Sequence, residues 1–304
     1  MRAHRAGGAI RAVPGFTLIE IAVVIVVLSL LLAMIAGLAT AMLGQQRREA
    51  TRQRLAGVET AIALFVSQNK RLPCPADGRT PGTTSGAGTE ARNDTTDVCN
   101  IGGAANTQTH GVVPWQTLGL AEQDVTDGWG NRLTYRVAPE LVRDNAMNLT
   151  ACDPGGTGGL SSGVCDASCA SGTFPASCTP PSTYTYDKGL KIRNIVSASL
   201  IMDPAPASGP STGAAYVVIS HGENGEGAYS NQGTLQAGTI ASGTLESANN
   251  AADVTFVNAL SSTAAAFVDD FPVYAEGVGH FDDWLLRPSI LTVATKAQLG
   301  PRAH

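Results

Sequence analysis

Residues 15–43 read GFTLIEIAVVIVVLSLLLAMIAGLATAML, and Glu20 is the only charged side chain among them. A helix over residues 16–43 would reach about 42 Å at ~1.5 Å per residue, more than the ~30 Å hydrocarbon core of a bilayer. The stretch is therefore predicted to be a helix that crosses a membrane. A secretory signal peptide is the competing reading, because Ala39-Thr40-Ala41 supplies an A-x-A-like cut after a basic start. The apolar regions of signal peptides run to only about 7–15 residues, which this one exceeds.

The flanks do not set the orientation. Arg2, Arg5 and Arg11 precede the run, and Arg47, Arg48, Arg52 and Arg54 follow it, so the positive charge is nearly balanced across it. The cysteines decide. All six, Cys74, Cys99, Cys152, Cys165, Cys169 and Cys178, lie beyond the run in turn-rich sequence. An even count in such a setting points to disulfides in an oxidising compartment, which places the body of the chain outside the cytoplasm. With 304 residues, 43 % of them hydrophobic, only 15 % charged and 34 glycines, the chain suits a loop-rich exported protein of one or two domains better than a compact cytosolic enzyme. The formal net charge is −5 and the first 15 residues carry no acid, so the body is acidic. An acidic body without a basic stripe argues against a nucleic-acid partner.

Gly15-Phe16-Thr17-Leu18-Ile19-Glu20, followed by the apolar run, resembles the processing site of type IV pilins and of the pseudopilins of type II secretion. The resemblance implies a prepilin leader over residues 1–15, cleavage between Gly15 and Phe16 by prepilin peptidase, N-methylation of Phe16, and a part for Glu20 in assembly. It implies a transmembrane helix over 16–44 in the bacterial inner membrane, a single pass, and a C-terminal domain in the periplasm or in a filament. The implied partners are prepilin peptidase, other pilin or pseudopilin subunits, an inner-membrane assembly platform and the lipid bilayer.

Physical chemistry gives each of these residues a reason. An ionised group in an apolar span costs at least ~3 kcal/mol, so it normally has a partner. Cleavage would create a cation at Phe16, and a neighbouring subunit could present that cation to Glu20, where low dielectric strengthens the attraction. The competing account keeps Glu20 protonated or lets it reach the headgroups. Gly15 lacks a Cβ, which lets a peptidase draw the backbone in extended form close to its catalytic groups. Pro14 disfavours helix at Val13, so the leader does not continue the helix. Gly37 stands where many family members carry proline; glycine loosens a helix more weakly, by about 1 kcal/mol relative to alanine.

Beyond the span, residues 45–70 contain no proline, and Leu55, Val58, Ile62, Phe65 and Val66 recur at three- and four-residue spacing. This predicts an amphipathic continuation with one apolar stripe, ended by Leu72-Pro73-Cys74-Pro75. The fold class is therefore α+β. A long N-terminal transmembrane-to-amphipathic helix packs on a small antiparallel β-sheet, as the pilin resemblance implies. Residues 71–304 form the globular domain, with loop-rich, disulfide-bonded insertions at about 76–110, 152–183 and 222–252.

Within that domain, residues 126–137 read TDGWGNRLTYRV. Asp127-Gly128 signals a turn, and Leu133, Tyr135 and Val137 alternate with Arg132, Thr134 and Arg136, the pattern of a half-buried strand. This run also resembles the Asp-x-Trp-Gly-Asn stretch of pseudopilin globular domains. Residues 214–230, AAYVVISHGENGEGAYS, read as an apolar strand entering a glycine loop. No Lys-Ser or Lys-Thr follows, so it is not a phosphate loop. Its Ser-His-Gly-Glu-Asn-Gly run resembles a segment found late in some pilin-like proteins. Glu223, Asn224 and Glu226 are candidate oxygen ligands for calcium, against the plainer reading of a turn-rich loop. Asp282 and Asp283 are expected at an exposed strand edge, and residues 288–299 as a final short helix.

Cys74 and Cys99 are expected to pair, while the four cysteines within 152–183 allow three pairings. A zinc site there lacks a second Cys-x-x-Cys or a histidine pair beside Cys165-x-x-x-Cys169. The sequence holds no Gly-x-Ser-x-Gly elbow and no His-Glu-x-x-His, and Ser220 and His221, adjacent on a strand, point to opposite faces. No internal repeat is present. The chain is read as a non-enzymatic minor pilin or pseudopilin that displays a surface. The large tip pseudopilin often lacks the glutamate, so Glu20 argues against that assignment. The rival reading is a membrane-anchored periplasmic adhesin or binding module that does not polymerise.

Overall fold

The computed structural model describes residues 17–101, 108, 110–147, 185, 188–194, 200–206, 208, 210–236, 246, 249, 267–274 and 280–299. Two compact units divide the chain, Met1–Gln46 and Arg47–His304. Helix α1, Leu18–Asn69, is 52 residues long and runs through Gly37 without a break. In the first unit every large apolar side chain from Leu18 to Leu43 is exposed, Val27 being the least so at 48 %. A surface so uniformly apolar, on a helix that satisfies its own backbone, is suited to lipid or to other helices and not to water.

In the second unit α1 changes character. Thr51, Leu55, Val58, Ile62 and Val66 are buried, each three or four positions from the last, so one stripe faces the core. Phe65 is half-buried, with the Arg71 guanidinium 5.0 Å from its ring centroid. The helix ends where Lys70 turns left-handed at φ 58°. The departing chain is fastened at once: Met147 N–H donates to Lys70 O, and Leu72 N–H to Leu141 O, both at 2.8 Å.

The strands that follow are β1 (Ala76–Asp77), β2 (Arg92–Asn93), β3 (Val98–Cys99), β4 (Gly111–Val112), β5 (Thr134–Val137), β6 (Ile192–Arg193), β7 (Leu200–Met202), β8 (Tyr216–Ser220), β9 (Phe267–Val268) and β10 (Trp284–Leu286), before the closing helix α2 (Ile290–Lys296). The main sheet has the order β1-β4-β5-β8-β10 and is antiparallel throughout. Its central pair aligns Thr134 with Ile219 and Val137 with Tyr216. The α1 stripe, the inward residues of β5 and β8, and Ile290, Val293 and Ala294 of α2 form one core. Lys296 also pairs with Glu59 of α1 at 2.6 Å. The α+β architecture and the antiparallel sheet agree with expectation. A second sheet, β7-β6-β9, contains a parallel β6–β9 pair that no sequence pattern announced.

Cys74 and Cys99 form a disulfide across a separation of 25 residues. A crosslink closing a loop of that size removes roughly 3–4 kcal/mol of unfolded-chain entropy in the simple loop-closure account. It holds the β2–β3 hairpin against the start of the sheet. Gly15 and Phe16, the cysteines at 152, 165, 169 and 178, the whole of the 152–183 insertion, and residues 237–245, 247–248 and 250–252 of the third insertion lie outside the described residues.

Two expectations are corrected. Strand β5 is buried on both faces and is not half-buried; Arg132 and Arg136 are at 1 % and 0 % exposure. Turns cover the second face, and the guanidiniums satisfy their carbonyls: Arg136 Nη1 donates to Gly111 O and Tyr135 O. Asp282 and Asp283 are buried rather than at an exposed edge. They are tolerated there because amide groups donate to them, Glu223 N–H to Asp282 Oδ2 at 2.7 Å and Asn249 Nδ2 to Asp283 Oδ2 at 2.8 Å.

The Asp-Gly-Trp-Gly-Asn turn docks on the second-unit part of α1. Asp127 Oδ1 accepts from Trp129 and Asn131 N–H, and its Oδ2 accepts from the Ser220 hydroxyl at 2.8 Å. Burial pushes the Asp127 carboxyl above the usual range, against the pull of these donors. Gly128 N–H donates to Thr51 Oγ1 at 2.9 Å, and Arg54 Nη1 donates to the carbonyls of Thr126 and Asp127. A Cβ on Gly128 would stand 2.2 Å from the Arg47 carbonyl oxygen, backbone that cannot give way cheaply. Gly128→Ala should therefore destabilise the second unit by about 1–3 kcal/mol or more, read as a lower urea midpoint for the full chain in detergent. An unchanged midpoint would show that the turn does not bear on the helix.

Candidate functional site

The segment that decides the role of this chain is the start of α1. Thr17 precedes the first helical residue, and its main-chain carbonyl accepts from Ile21 N–H at 3.3 Å. Its hydroxyl oxygen accepts from Glu20 N–H at 3.3 Å, while Glu20 Oε2 accepts from Thr17 N–H at 2.8 Å and from the Thr17 hydroxyl at 2.9 Å. These reciprocal bonds form a capping box, in which a threonine and a glutamate three positions later satisfy donors that a helix start leaves open. The sequence carries its signature in Thr17-Leu18-Ile19-Glu20. The box fixes where the helix begins, at Leu18 directly after Thr17.

The geometry also bears on what Glu20 can do besides. Both of these accepted bonds fall on Oε2, and Oε1 has no partner among the described residues. A carboxylate at a helix N-terminus is favoured by the helix dipole. It can hold its own cap with one oxygen and offer the other to a cation.

The other sequence-derived candidates sort as follows. Cys74 and Cys99 are brought together; Cys152, Cys165, Cys169 and Cys178 lie outside the described residues, as do Gly15 and Phe16. Of the calcium candidates, Asn224 uses its Oδ1 to accept from Glu226 N–H at 3.0 Å and its Nδ2 to donate to Glu246 Oε2 at 2.9 Å. Glu223 and Asn224 both turn their main-chain N–H toward Asp282 Oδ2. Ser220 and His221 serve different partners, Ser220 donating to Asp127 and His221 Nε2 lying 2.9 Å from Thr134 Oγ1. They do not form a nucleophile–base pair.

Residues 10–36 match the prokaryotic N-terminal methylation motif. The match covers Gly15, Phe16, Glu20 and most of the exposed apolar part of α1. It supports a type IV pilin-like precursor processed by prepilin peptidase, and it is consistent with anchoring through one apolar N-terminal helix. No curated protein and no solved structure matches the chain.

Proposed function

We propose that this chain is a minor subunit of a type IV pilus or of a type II secretion pseudopilus. Prepilin peptidase removes residues 1–15, Phe16 becomes the N-methylated terminus, and residues 16–44 hold the subunit in the inner membrane as a single pass. Residues 45–70 continue the helix into a periplasmic domain of residues 71–304. The assembly platform then draws the subunit into a filament through contacts between α1 helices. Its role is structural and not catalytic.

The observation that carries this reading is a coincidence of register. The methylation motif at residues 10–36 straddles a capping box on Thr17 that starts the helix at Leu18, two residues after the proposed cleavage point. Beyond that point, among the described side chains, the helix exposes nothing but apolar and small ones until Gln45, Glu20 and Ser29 excepted. The Cys74–Cys99 bridge adds support for an oxidising compartment on the far side.

Glu20 can be tested in a way that separates its two duties. Glu20→Gln keeps an acceptor for the Thr17 cap but removes the charge that would meet the Phe16 ammonium of a neighbour. The variant should be cleaved normally and yet enter filaments at least ~10-fold less, the equivalent of about 1.4 kcal/mol. Incorporation equal to the natural chain would contradict the pairing. A crosslinked ladder between residues near Phe16, absent for a mere tether, distinguishes the polymerising subunit from an anchored adhesin.

A further inference from the structure

We propose that Glu246, His280 and Asp282 form a binding site for one divalent transition-metal ion of the zinc class, independent of the assembly role of α1. One ligand atom from each residue lies within 4.8 Å of the other two. His280 Nε2 stands 3.8 Å from Glu246 Oε1 and 3.7 Å from Asp282 Oδ2. Those separations are too long for hydrogen bonds. They fit side chains arranged about a shared centre, since two ligands each about 2.1 Å from one ion at a tetrahedral angle sit roughly 3.4 Å apart.

The surroundings are built like a metal site and not like an acidic patch. Asp282 and Glu246 are both nearly fully buried, at 2 % and 4 % exposure. Asp282 Oδ1 is a buried polar atom without a hydrogen-bond partner among the described residues, an arrangement that normally costs free energy unless something else binds there. Both carboxylates are also held from outside, the oxygens nearest His280 included. Asp282 Oδ2 accepts from the N–H groups of Glu223 and Asn224, Glu246 Oε2 from Asn224 Nδ2, and Glu246 Oε1 from Asp282 N–H. Such outer contacts orient metal ligands and fix their position. Gly222, at φ 59°, lets the turn close over the carboxylate; a Cβ there would lie 2.4 Å from Asp282 Cγ.

Charge points the same way. A third buried carboxylate, Asp283, lies beside the cluster, its Oδ1 3.5 Å from His221 Nδ1. So many acids under cover require a proton or a cation to neutralise them. An imidazole in the set favours a zinc-like ion over calcium, which takes oxygen ligands. Glu246 and Asp282 are 36 positions apart, so an ion here would staple a distant segment to the entrance of β10.

The test uses the full chain in detergent, without a histidine tag, stripped with EDTA and desalted, then titrated with ZnCl2. The natural chain should hold about one zinc ion, and zinc should raise its Tm. His280→Ala and Glu246→Gln, each with an unchanged far-UV CD spectrum, should bind at least ~10-fold more weakly, with the Tm rise lost in His280→Ala. Failure of the natural chain to retain zinc would overturn the site. So would equal retention by both variants, or binding of calcium in preference to zinc.

Discussion

A Gly15→Val chain should accumulate in the membrane as an uncut precursor that still carries residues 1–15. A peptidase that cleaves after residue 15 must bring that backbone, fully extended, within bonding distance of its own catalytic groups. Glycine allows the approach because it has no Cβ, and a branched side chain holds the scissile bond off by an ångström or more. Displacements of that size cost on the order of 100-fold in rate, so the mature form should nearly vanish from an intact-mass spectrum of membrane extracts. A second loss follows. Without cleavage Phe16 has no ammonium group, Glu20 has no cation to meet, and filament entry should fall with processing. A mature chain at ordinary yield would mean that the junction is not a peptidase site.

Arg132→Ala should remove about 3–5 kcal/mol from the stability of the second unit. The guanidinium is fully covered and does five things at once. Nε donates to Glu122 Oε1 at 2.8 Å, Nη1 donates to Gly78 O and Thr80 O at 2.9 Å, and Nη2 donates to Asn231 O at 3.0 Å. Its plane also lies 4.7 Å from the Trp115 ring centroid. Three separate turns converge on this one side chain, so truncation leaves buried carbonyls without donors and a half-covered carboxylate without its counter-ion. Removing one partner of a buried ionic network costs far more than the network adds, because the survivors stay desolvated. Urea denaturation of the full chain in detergent reads the difference. A midpoint change worth less than 1 kcal/mol would show that the turns are held by their backbones alone.

Both experiments bear on how much the sequence disclosed. The apolar run and the stripe from Leu55 to Val66 foretold α1, because period and length are properties of neighbouring residues. Strand β8 was legible as an apolar run and α2 as a short periodic segment, capped in the structure by Ser289, whose hydroxyl accepts from Thr292 N–H. The Cys74–Cys99 pairing was anticipated as well.

What escaped were features made by chain returning from far away. Arg132 and Arg136 looked like the wet side of a strand, since alternation cannot reveal that turns 52 to 99 positions distant meet Arg132 or that Gly111, 25 positions distant, meets Arg136. Asp282 and Asp283 looked like edge residues for the same reason. Glu246, His280 and Asp282 carry no motif spacing at all, and only the approach of their segments makes them a set. The Thr17–Glu20 cap is a different case: it is local and carries a sequence signature, but one residue, Glu20, is both a charge in an apolar span and the cap of its own helix.

The central claim is that the chain loses its leader at Gly15 and enters the membrane with a new, methylated terminus. Intact mass and N-terminal sequencing of the protein taken from its native membrane test this most directly. The expected result is a chain that begins at N-methylated Phe16; a chain beginning at Met1, with the basic leader attached, or at Met42, with the apolar helix gone, would contradict it.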